Sequence, residues 1–589
     1  MSHRRALQLF TLLLLIATAV TVTVYLWRYT HDDAALATST STPFPASVER
    51  TASTSSSVEP HASTLFVEAV AADADNFNPI YSTNPTSLKV IEKIYPLLIG
   101  RDPYTGANNS SGLAEKWQFS PDGRTLTITL YPNLQWSDGE PIRAEDIVFT
   151  LDLVRDPLIA SPYRQNFGNI ETIKAIDDQT LVIQLANPDC AIFQSLRQPI
   201  LPAHLYHNDR SEFRSTDPNR LPTVGAGPFL FASRSGSRIV LQRNERYRLG
   251  APLLERYEFH IIADEAEQLA GLADGRIDLV ALSTEQLAFY QPIPAVTLYK
   301  TPLDSITFLA LNLANPQHPQ PGRASDGSLL PQEPHPILGT LAVRQALAHA
   351  LDYETLLEQG FQHQILRHSG YLLPTITWAY HKDLAPYGYD PGLTAQLLSD
   401  AGWVDADGDG IRERDGAPLQ LTLLTNEDST LRARLAELIR LQFQAVGIDL
   451  QVAVQPFDLL TNALLGQRYD MVLIGWDTLG AEPGNSDFWL SQQDLPTEFD
   501  DNGIGGANFT SYQNVAVDLW LTEARTHPSC DGGYRTQRYQ QVQERIYADL
   551  PYIVLGSPYQ GWVYRAKWQG ITPQPWSFAH NIQRWWRAD

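Results

Sequence analysis

The sequence predicts an α/β protein of two lobes, and three observations support this prediction. The chain has 589 residues, too many for a single compact core, which suggests two or three domains. Strand and helix patterns alternate along most of its length, as is typical of α/β architecture. The order of elements also restarts after Thr301-Pro302 with a strand from Ser305 to Asn312, so a second lobe is expected to begin there.

Composition and charge exclude several classes of protein. Hydrophobic residues make up 43% of the chain and charged residues 19%, which describes a globular protein. The formal net charge of -23 argues against nucleic acid as the main partner, because binding to phosphates needs a basic face. The sequence has no G-x-S-x-G or H-E-x-x-H motif and no phosphate loop ending in Gly-Lys-Ser or Gly-Lys-Thr. The sequence therefore offers little for catalysis, and we do not expect an enzyme.

The N-terminus predicts export. A basic stretch, His3-Arg4-Arg5, precedes an almost uninterrupted apolar run from Ala6 to Trp27, which is long enough to span a bilayer. Residues 1–30 are thus a signal-anchor or a signal peptide. We favour an uncleaved anchor, because the nearest small-residue cleavage site, Ala35-Leu36-Ala37, lies late. Residues 31–63 are rich in Ser, Thr, Ala and Pro and predict a flexible stalk.

The first lobe opens with a predicted strand at Leu65–Val70. From Thr125 to Leu130 apolar residues alternate with threonines, which predicts a strand with one buried face. A second short strand is expected around Trp136. Glu145-Asp146 then place negative charge in the first turn of a helix, where the helix dipole favours it, and Pro157 ends that helix.

The same region carries a motif with defined spacing. It contains Leu113-Ala114-Glu115, Trp117, Asp122-Gly123, Asp138-Gly139, Pro141 and Ala144-x-Asp146-Ile147. In these residues the chain resembles the family 5 solute-binding proteins of bacterial ABC importers, the oligopeptide- and dipeptide-binding group. The resemblance implies a two-lobed, periplasmic-binding-protein-like fold of type II, cluster C, with a hinge between the lobes and a ligand cleft at their junction.

This resemblance extends from about Thr64 to the C-terminus and sets the expected domain boundaries. Residues 64–302 form the N-terminal part of lobe I, residues 303–500 form lobe II, and residues 501–589 return to lobe I. The chain would therefore cross between the lobes twice and leave a two-strand hinge. The elements expected in lobe II include strand Leu419–Thr425, helix Leu431–Val446, strand Ile448–Val454, helix Leu459–Leu464 and strand Tyr469–Ile474.

The best candidate for ligand contact is Trp476-Asp477, at the end of the strand YDMVLIGWD. It resembles the family segment GW-x-x-D-y-x-x-P, in which the Trp lies beside the ligand and an Asp three residues later pairs with the α-amino group of a peptide. That later position is Leu479 here, so Asp477 is the candidate for a displaced carboxylate. The alternative is that Trp476 is only a core aromatic residue.

Two loops complete the expected ligand site through the resemblance. Asn78 lies in the loop after the first strand, which comes close to the cleft in the family. Gly225 and Gly227 lie in Val224–Phe229, which resembles the family loop vGTGPY with Ala in place of Thr. We therefore include all three residues as candidate ligand contacts.

One acidic turn could bind a metal. Asp405, Asp407 and Asp409 are spaced two residues apart before a glycine, the arrangement that wraps oxygen ligands around Ca²⁺. The bidentate Glu of an EF-hand is missing, because Gly416 occupies its position. A structural Ca²⁺ and a plain acidic turn both remain open, and we expect no other cofactor.

The chain has only two cysteines, Cys190 and Cys530. Export into an oxidising compartment would allow a disulfide between them. Two separate buried thiols are the alternative, since their distance cannot be read from the sequence.

The expected function is the extracytoplasmic capture of a peptide-like ligand by lobe closure. By resemblance, a separate permease and separate ATPase subunits would complete the importer, and the binding protein itself would be a monomer held at the membrane by its N-terminal segment. Because of Leu479, an oligosaccharide ligand ranks second, and some relatives take nickel or its chelates. An exported hydrolase and a surface sensor are the competing classes of function.

Overall fold

The computed structural model of the chain describes residues 64–206, 222–477, 479–483, 485–501 and 503–588. The membrane segment and stalk that the sequence predicts lie outside these ranges. The described residues form two α/β lobes, which confirms the predicted fold class. Within the same ranges, none of the helices has the length and apolar character that a membrane span requires.

Lobe I contains the first group of strands and helices. In chain order they are β1 (Leu65–Val70), α1 (Pro85–Ile94), β2 (Gly100–Arg101), β3 (Asn108–Asn109), β4 (Ala114–Phe119), β5 (Thr125–Leu130), α2 (Ala144–Arg155), β6 (Ile170–Ala175), β7 (Thr180–Leu185), α3 (Ile192–Ser195), β8 (Phe229–Ser235), β9 (Arg238–Arg243), β10 (Arg256–Ile261), α4 (Glu265–Asp274), β11 (Leu279–Leu282), α5 (Thr284–Phe289) and β12 (Val296–Pro302).

Lobe II and the C-terminal segment contain the second group. Lobe II comprises β13 (Ser305–Leu311), α6 (Leu341–His349), α7 (Tyr353–Thr355), β14 (Ile365–Leu366), α8 (Pro391–Asp400), β15 (Glu413–Arg414), β16 (Ala417–Pro418), β17 (Gln420–Asn426), α9 (Thr430–Gln444), β18 (Asp449–Gln455), α10 (Phe457–Leu465), β19 (Met471–Asp477), α11 (Val515–Thr526) and α12 (Gly532–Asp549). The chain ends with β20 (Tyr552–Arg565), β21 (Trp568–Gln569) and β22 (Trp586–Arg587).

The motif-bearing part of lobe I folds as a separate antiparallel sheet of four strands, in the order β4-β5-β7-β6. As predicted, β5 buries every second residue and α2 begins with Glu145-Asp146 in its first turn. The side chain of Asp146 accepts hydrogen bonds from the backbone N–H groups of Arg143 and Ala203, which joins the start of α2 to the rest of the lobe.

The short strand predicted to hold Leu134 and Trp136 is a single antiparallel bridge between Gln135 and Pro141. The Trp136 N–H donates to the Glu140 carbonyl at 2.8 Å and the Ile142 N–H donates to the Leu134 carbonyl at 3.0 Å, while a Gly139 N–H to Trp136 carbonyl bond closes the turn. Trp136 is a fully buried core residue.

A two-stranded ribbon connects the lobes, as the hinge prediction requires. The first part of strand β20 pairs antiparallel with β13 in lobe II, and its second part pairs antiparallel with β12 in lobe I. Strands β12 and β13 follow one another along β20, separated only by Leu303 and Asp304. One sheet thus runs through both lobes, in the order β18-β17-β19-β13-β20-β11-β1-β10-β9-β8.

The return of the chain to lobe I lies within β20. Residues 501–551 pack in lobe II, where Phe509, Leu521 and Tyr539 share a hydrophobic core with Phe308 of β13. Only after Gly556 does β20 begin to pair with lobe I strands. The boundary expected at residue 501 therefore moves to this point, because the apolar faces of α11 and α12 belong to the core of lobe II.

Gly556 occupies the register shift where the ribbon passes between the lobes. Its φ of 140° is in a region that L side chains rarely adopt, and an added Cβ would lie 2.3 Å from the Leu366 carbonyl oxygen. Only glycine fits here without moving the backbone of lobe II.

We predict that Gly556→Ala lowers the free energy of unfolding by about 2 kcal/mol or more, through combined backbone strain and steric overlap. Gly388→Ala is the matched control, because Gly388 has no heavy atom within 4 Å of an added Cβ. Differential scanning calorimetry of both variants measures the effect. Equal melting temperatures for the two variants would contradict this role of Gly556.

Candidate ligand cleft between the lobes

The segment after β19 lies against lobe I. An added Cβ on Gly106 of lobe I would be 2.8 Å from the Cβ of Ala481, and one on Gly480 would be 3.0 Å from Nε2 of Gln194. The predicted pair Trp476 and Asp477 ends the strand that leads into this segment. The structure therefore places the pair next to the junction of the lobes.

Trp476 is half-buried in an aromatic cluster. Its ring stacks on Phe488 with a centroid separation of 4.2 Å and lies 6.1 Å from Phe308. Its indole N–H donates to the Tyr552 hydroxyl of β20 at 3.3 Å. Both of the open interpretations thus have support, since Trp476 packs in lobe II and also keeps part of its surface exposed beside the junction.

Asp477 pairs with Ser305 across strands β19 and β13. The neighbouring Arg432 interacts electrostatically with Asp477 and donates a hydrogen bond to Oδ1 of Asn426 at 2.9 Å. Burial lowers the pKa of Arg432. Asp477 therefore belongs to a charged group on the lobe II side of the junction.

Asp304 is a site residue that the sequence analysis missed. It lies in the ribbon between β12 and β13, and both of its carboxylate oxygens accept the Gly480 N–H at 2.9 Å. Burial raises its pKa to about 7, against the opposing effects of that hydrogen bond and of Arg101. Nothing in the local sequence distinguishes this aspartate, because its environment comes from three distant segments.

Two arginines of lobe I face the same junction and were also missed. The Arg101 guanidinium lies 5.0 Å from the ring centroid of Trp576, and burial lowers its pKa. Arg197 donates to Oδ1 of Asn108 at 2.8 Å, while its Nε is buried and has no partner among the described residues. Burial and the charge of Arg101 lower the pKa of Arg197 to about 10.

Neither of these arginines forms an ion pair within the part of the chain that the structure describes. Arg101 interacts with Asp304 and Arg197 with Glu482, but only through longer-range attraction. The lobe I side of the junction thus carries two closely spaced positive charges that lack full compensation.

Glu482 fixes the segment after β19, which forms the lobe II side of the junction. It forms a buried ion pair with Arg535 of α12 and accepts a hydrogen bond from the Tyr539 hydroxyl at 3.1 Å. Burial raises the pKa of Glu482. Because its charge is already matched by Arg535, Glu482 holds the loop in place and offers little to the arginines of lobe I.

A groove of about 280 Å³ opens beside Arg197. Its polar lining consists of Tyr163, Asn166, Gln194, Ser195, Arg197 and Gln198. Asn78 lies next to this groove, since Pro79 is one of its lining residues and accepts a hydrogen bond from Gln198. Asn78 itself is 2% exposed, accepts the Ile80 N–H with Oδ1, and leaves Nδ2 without a partner among the described residues.

The structure places Gly225 and Gly227 against the end of α1. An added Cβ on Gly225 would lie 2.4 Å from the Ile94 carbonyl oxygen, and one on Gly227 would lie 2.4 Å from that of Lys93. The Gly227 N–H also donates to the Ile94 carbonyl at 2.7 Å. The close approach of the loop to α1 explains why both positions need glycine, without any ligand.

The acidic turn has a different grouping from the expected one. Ligand oxygens of Asp405, Asp407 and Glu413 lie within 4.8 Å of one another, and Asp409 is not part of this group. Asp405 accepts the N–H groups of Gly408 and Gly410, so its carboxylate stabilises the turn itself. These hydrogen bonds hold the turn, and a structural Ca²⁺ at this place stays a prediction.

Cys190 and Cys530 form a disulfide, with their Cα atoms 5.5 Å apart. Cys190 is fully buried in lobe I, and Cys530 lies in the loop between α11 and α12 of lobe II. Of the two alternatives that the sequence left open, the structure has the disulfide, and this bond joins the two lobes.

Comparison with known proteins agrees with this architecture. Residues 110–494 match the sequence profile of the bacterial extracellular solute-binding proteins, family 5. The chain belongs to this family. Its motifs, its two lobes and its two-strand connection are those that the resemblance implied.

Individual relatives cover most of the chain. The oligopeptide-binding protein AppA of Bacillus subtilis is 26% identical over 87% of this chain and 89% of its own length. The nickel-binding periplasmic protein of Escherichia coli is 25% identical over 75% and 79%. The structure of Bacillus subtilis AppA in complex with a nonapeptide superposes with a TM-score of 0.60 at 23% identity, over 90% of this chain and all of that one. As a member of this family, the chain is a solute-binding protein.

Asp304 predicts a pH dependence of stability. In the folded protein the Asp304 carboxyl group keeps its proton up to about pH 7, whereas in the unfolded chain the same group releases its proton near pH 4. The folded state therefore binds more protons in this window, and its free energy of unfolding falls as the pH rises through it. A shift of about three pH units corresponds to at most about 4 kcal/mol.

We expect Asp304→Asn to reduce the loss of melting temperature between about pH 5 and about pH 8. Asp383→Asn, which changes an exposed aspartate, is the control and should melt like the wild type at both pH values. Differential scanning fluorimetry measures both. An Asp304→Asn profile parallel to that of the wild type would contradict a protonated Asp304.

Proposed function

We propose that this protein captures a short peptide between its lobes and delivers it to the permease of an ABC importer, whose ATPase subunits supply the energy. The observation that carries this proposal is the pair of arginines, Arg101 and Arg197, at the lobe junction. Both are half-buried, and neither has an ion-pair partner among the described residues.

A carboxylate is the chemical group that suits this pair. A guanidinium presents a planar fork of N–H donors that matches a carboxylate, and hydrogen bonds between such charged groups are the strong ones. Leaving a buried charge unpaired costs free energy, so an incoming anion would offset a cost that the empty protein bears. The C-terminal carboxylate of a peptide supplies such a group.

The opposite side of the junction suits a cation. Asp304 and Asp477 both face the junction from the hinge and lobe II, and they repel one another. An ammonium group close to Asp304 would favour its ionised form. A zwitterionic peptide would thus place its carboxylate toward lobe I and its amino group toward Asp304 and Asp477, in spite of Leu479.

Relatives support a peptide over the other ligands. AppA of Bacillus subtilis is named an oligopeptide-binding protein, and its solved structure holds a nonapeptide. A neutral oligosaccharide would leave Arg101 and Arg197 without a counter-charge, so we rank it second.

Lobe closure follows from this charge arrangement. A ligand that contacts both lobes binds the closed form better than the open one and shifts the population toward it. The ribbon of β12, β13 and β20 lets the lobes rotate as units, and the permease would recognise the closed form. The apolar run from Ala6 to Trp27 would keep the protein at the outer face of the membrane.

We predict that Arg197→Ala weakens the binding of tri- to pentapeptides with a free C-terminus by about tenfold to a hundredfold, because it removes about 1.5–3 kcal/mol of charge-assisted hydrogen bonding. Peptides with an amidated C-terminus should bind the variant and the wild type equally. Arg276→Ala is the control, because Arg276 forms only an exposed ion pair with Asp274. Isothermal titration calorimetry measures the affinities after hits are found by native mass spectrometry.

Two results would overturn the proposal. One is a failure of every peptide in the pool to bind or to shift the melting temperature of the wild type, both with the Cys190–Cys530 bond intact and with it reduced. The other is an equal loss of affinity for free and amidated peptides in Arg197→Ala, which would place Arg197 outside the carboxylate site.

A further inference from the structure

The lobes meet at a second junction that shares no residue with the ribbon. We call it the clasp and define it as residues 187–191 of lobe I together with residues 525–530 of lobe II. The Cys190 N–H donates to the Arg525 carbonyl at 2.8 Å, and the Arg525 guanidinium pairs with Asp189 at 3.1 Å. An added Cβ on Gly123 would lie 2.8 Å from the Cα of Pro528, so the backbones are also in close contact.

Each half of the clasp is anchored in a different core. On one side, Ile192 and Phe193 of α3 follow Cys190 directly and pack in the core of lobe I. On the other, Leu521 and Ala524 of α11 precede the clasp and pack in the core of lobe II. A rotation of one lobe against the other must therefore separate the halves of the clasp or bend the chain beside it.

The disulfide makes the clasp covalent. The Cα atoms of bridged cysteines stay about 4.4–6.8 Å apart, and those of Cys190 and Cys530 are already 5.5 Å apart. While the bond exists, the two halves can separate by only about 1 Å at this point. The clasp shares no residue with the ribbon, so a rotation of the lobes about the ribbon would have to separate its halves, and the bond opposes that separation.

We propose that the Cys190–Cys530 bond is a latch that keeps the cleft closed, and that its reduction by an extracytoplasmic dithiol lets the lobes open and exchange ligand. This inference rests on the proposed capture of ligand by lobe closure. It adds a control on that movement: the redox state of one bond decides whether the cleft can open.

The chemistry of the latch balances by thiol–disulfide exchange. A thiolate of the dithiol attacks Sγ of Cys530, which is the partly exposed sulfur, because Cys190 is fully buried. The Cys190 sulfur leaves as a thiolate and takes up a proton. The second thiol of the reductant then releases Cys530 and completes a disulfide in the reductant. Two electrons and two protons have passed to the protein, which now holds two thiols.

The experiment compares three samples: oxidised wild type, wild type reduced with a phosphine, and the double variant Cys190→Ser/Cys530→Ser. Because the chain has no other cysteine, the phosphine acts on this bond alone, and the double variant should not respond to it. Thiol titration verifies the redox state and circular dichroism verifies the fold. Small-angle scattering of ligand-free protein then measures opening, and addition of the tri- to pentapeptide pool measures closure.

We expect the reduced and variant proteins to be more expanded than the oxidised protein. A fluorescent peptide from the pool should also dissociate from them at least about tenfold faster. Equal expansion of all three samples, with equal compaction by peptide, would overturn the latch and leave the proposed function intact. If the reduced and variant proteins expand but no peptide compacts them, the latch stands and peptide capture is overturned. Loss of secondary structure on reduction would make the bond a fold staple and overturn the latch.

Discussion

The pairing of β20 with strands of both lobes is the constraint on which the rest of the structure depends. A strand of 14 residues gives its first part to β13 and its second part to β12 and β11. Each lobe has its own hydrophobic core, and the backbone hydrogen bonds of this ribbon join the sheet of one lobe to the sheet of the other. The raised pKa of Asp304 and the positive φ of Gly556 both arise where the ribbon passes from one lobe to the other.

Placing charged side chains at the junction costs free energy of desolvation, and contacts within the protein offset only part of it. Arg101, Arg197 and Asp304 are partly shielded from water. Burial lowers the pKa of the two arginines and raises the pKa of Asp304, so it favours the neutral form of each residue. The Glu482–Arg535 pair shows the alternative, in which a buried charge is matched within one lobe. When the charges in a cleft are only partly paired within the protein, a ligand of opposite charge gains affinity by pairing with them.

Much of the fold could be predicted from the sequence, but less of the site. The alternation in β5 and the acidic first turn of α2 are local patterns, so they were readable directly. The return of the chain was misplaced because the apolar faces of α11 and α12 pack against partners distant in sequence. Asp304, Arg101 and Arg197 were missed for the same reason. Close packing against α1 accounts for glycine at Gly225 and Gly227, and their contact with ligand stays a prediction. Short motifs within one segment identify the family, whereas the cleft combines residues from distant segments, none of which has a sequence pattern that marks it as part of a site.

The discontinuous make-up of lobe I affects how the protein can be synthesised. Lobe II is nearly contiguous, from β13 to the first part of β20, and can acquire its core as soon as that stretch has left the ribosome. Lobe I begins first, but β12 has no partner strand and β11 is paired only with β1 until the second part of β20 is made. Trp568 and Trp585 of its core come later still. For most of translation the earlier lobe waits with unpaired strand edges, a state that is prone to aggregation. The domain that is translated first is therefore the one that is finished last.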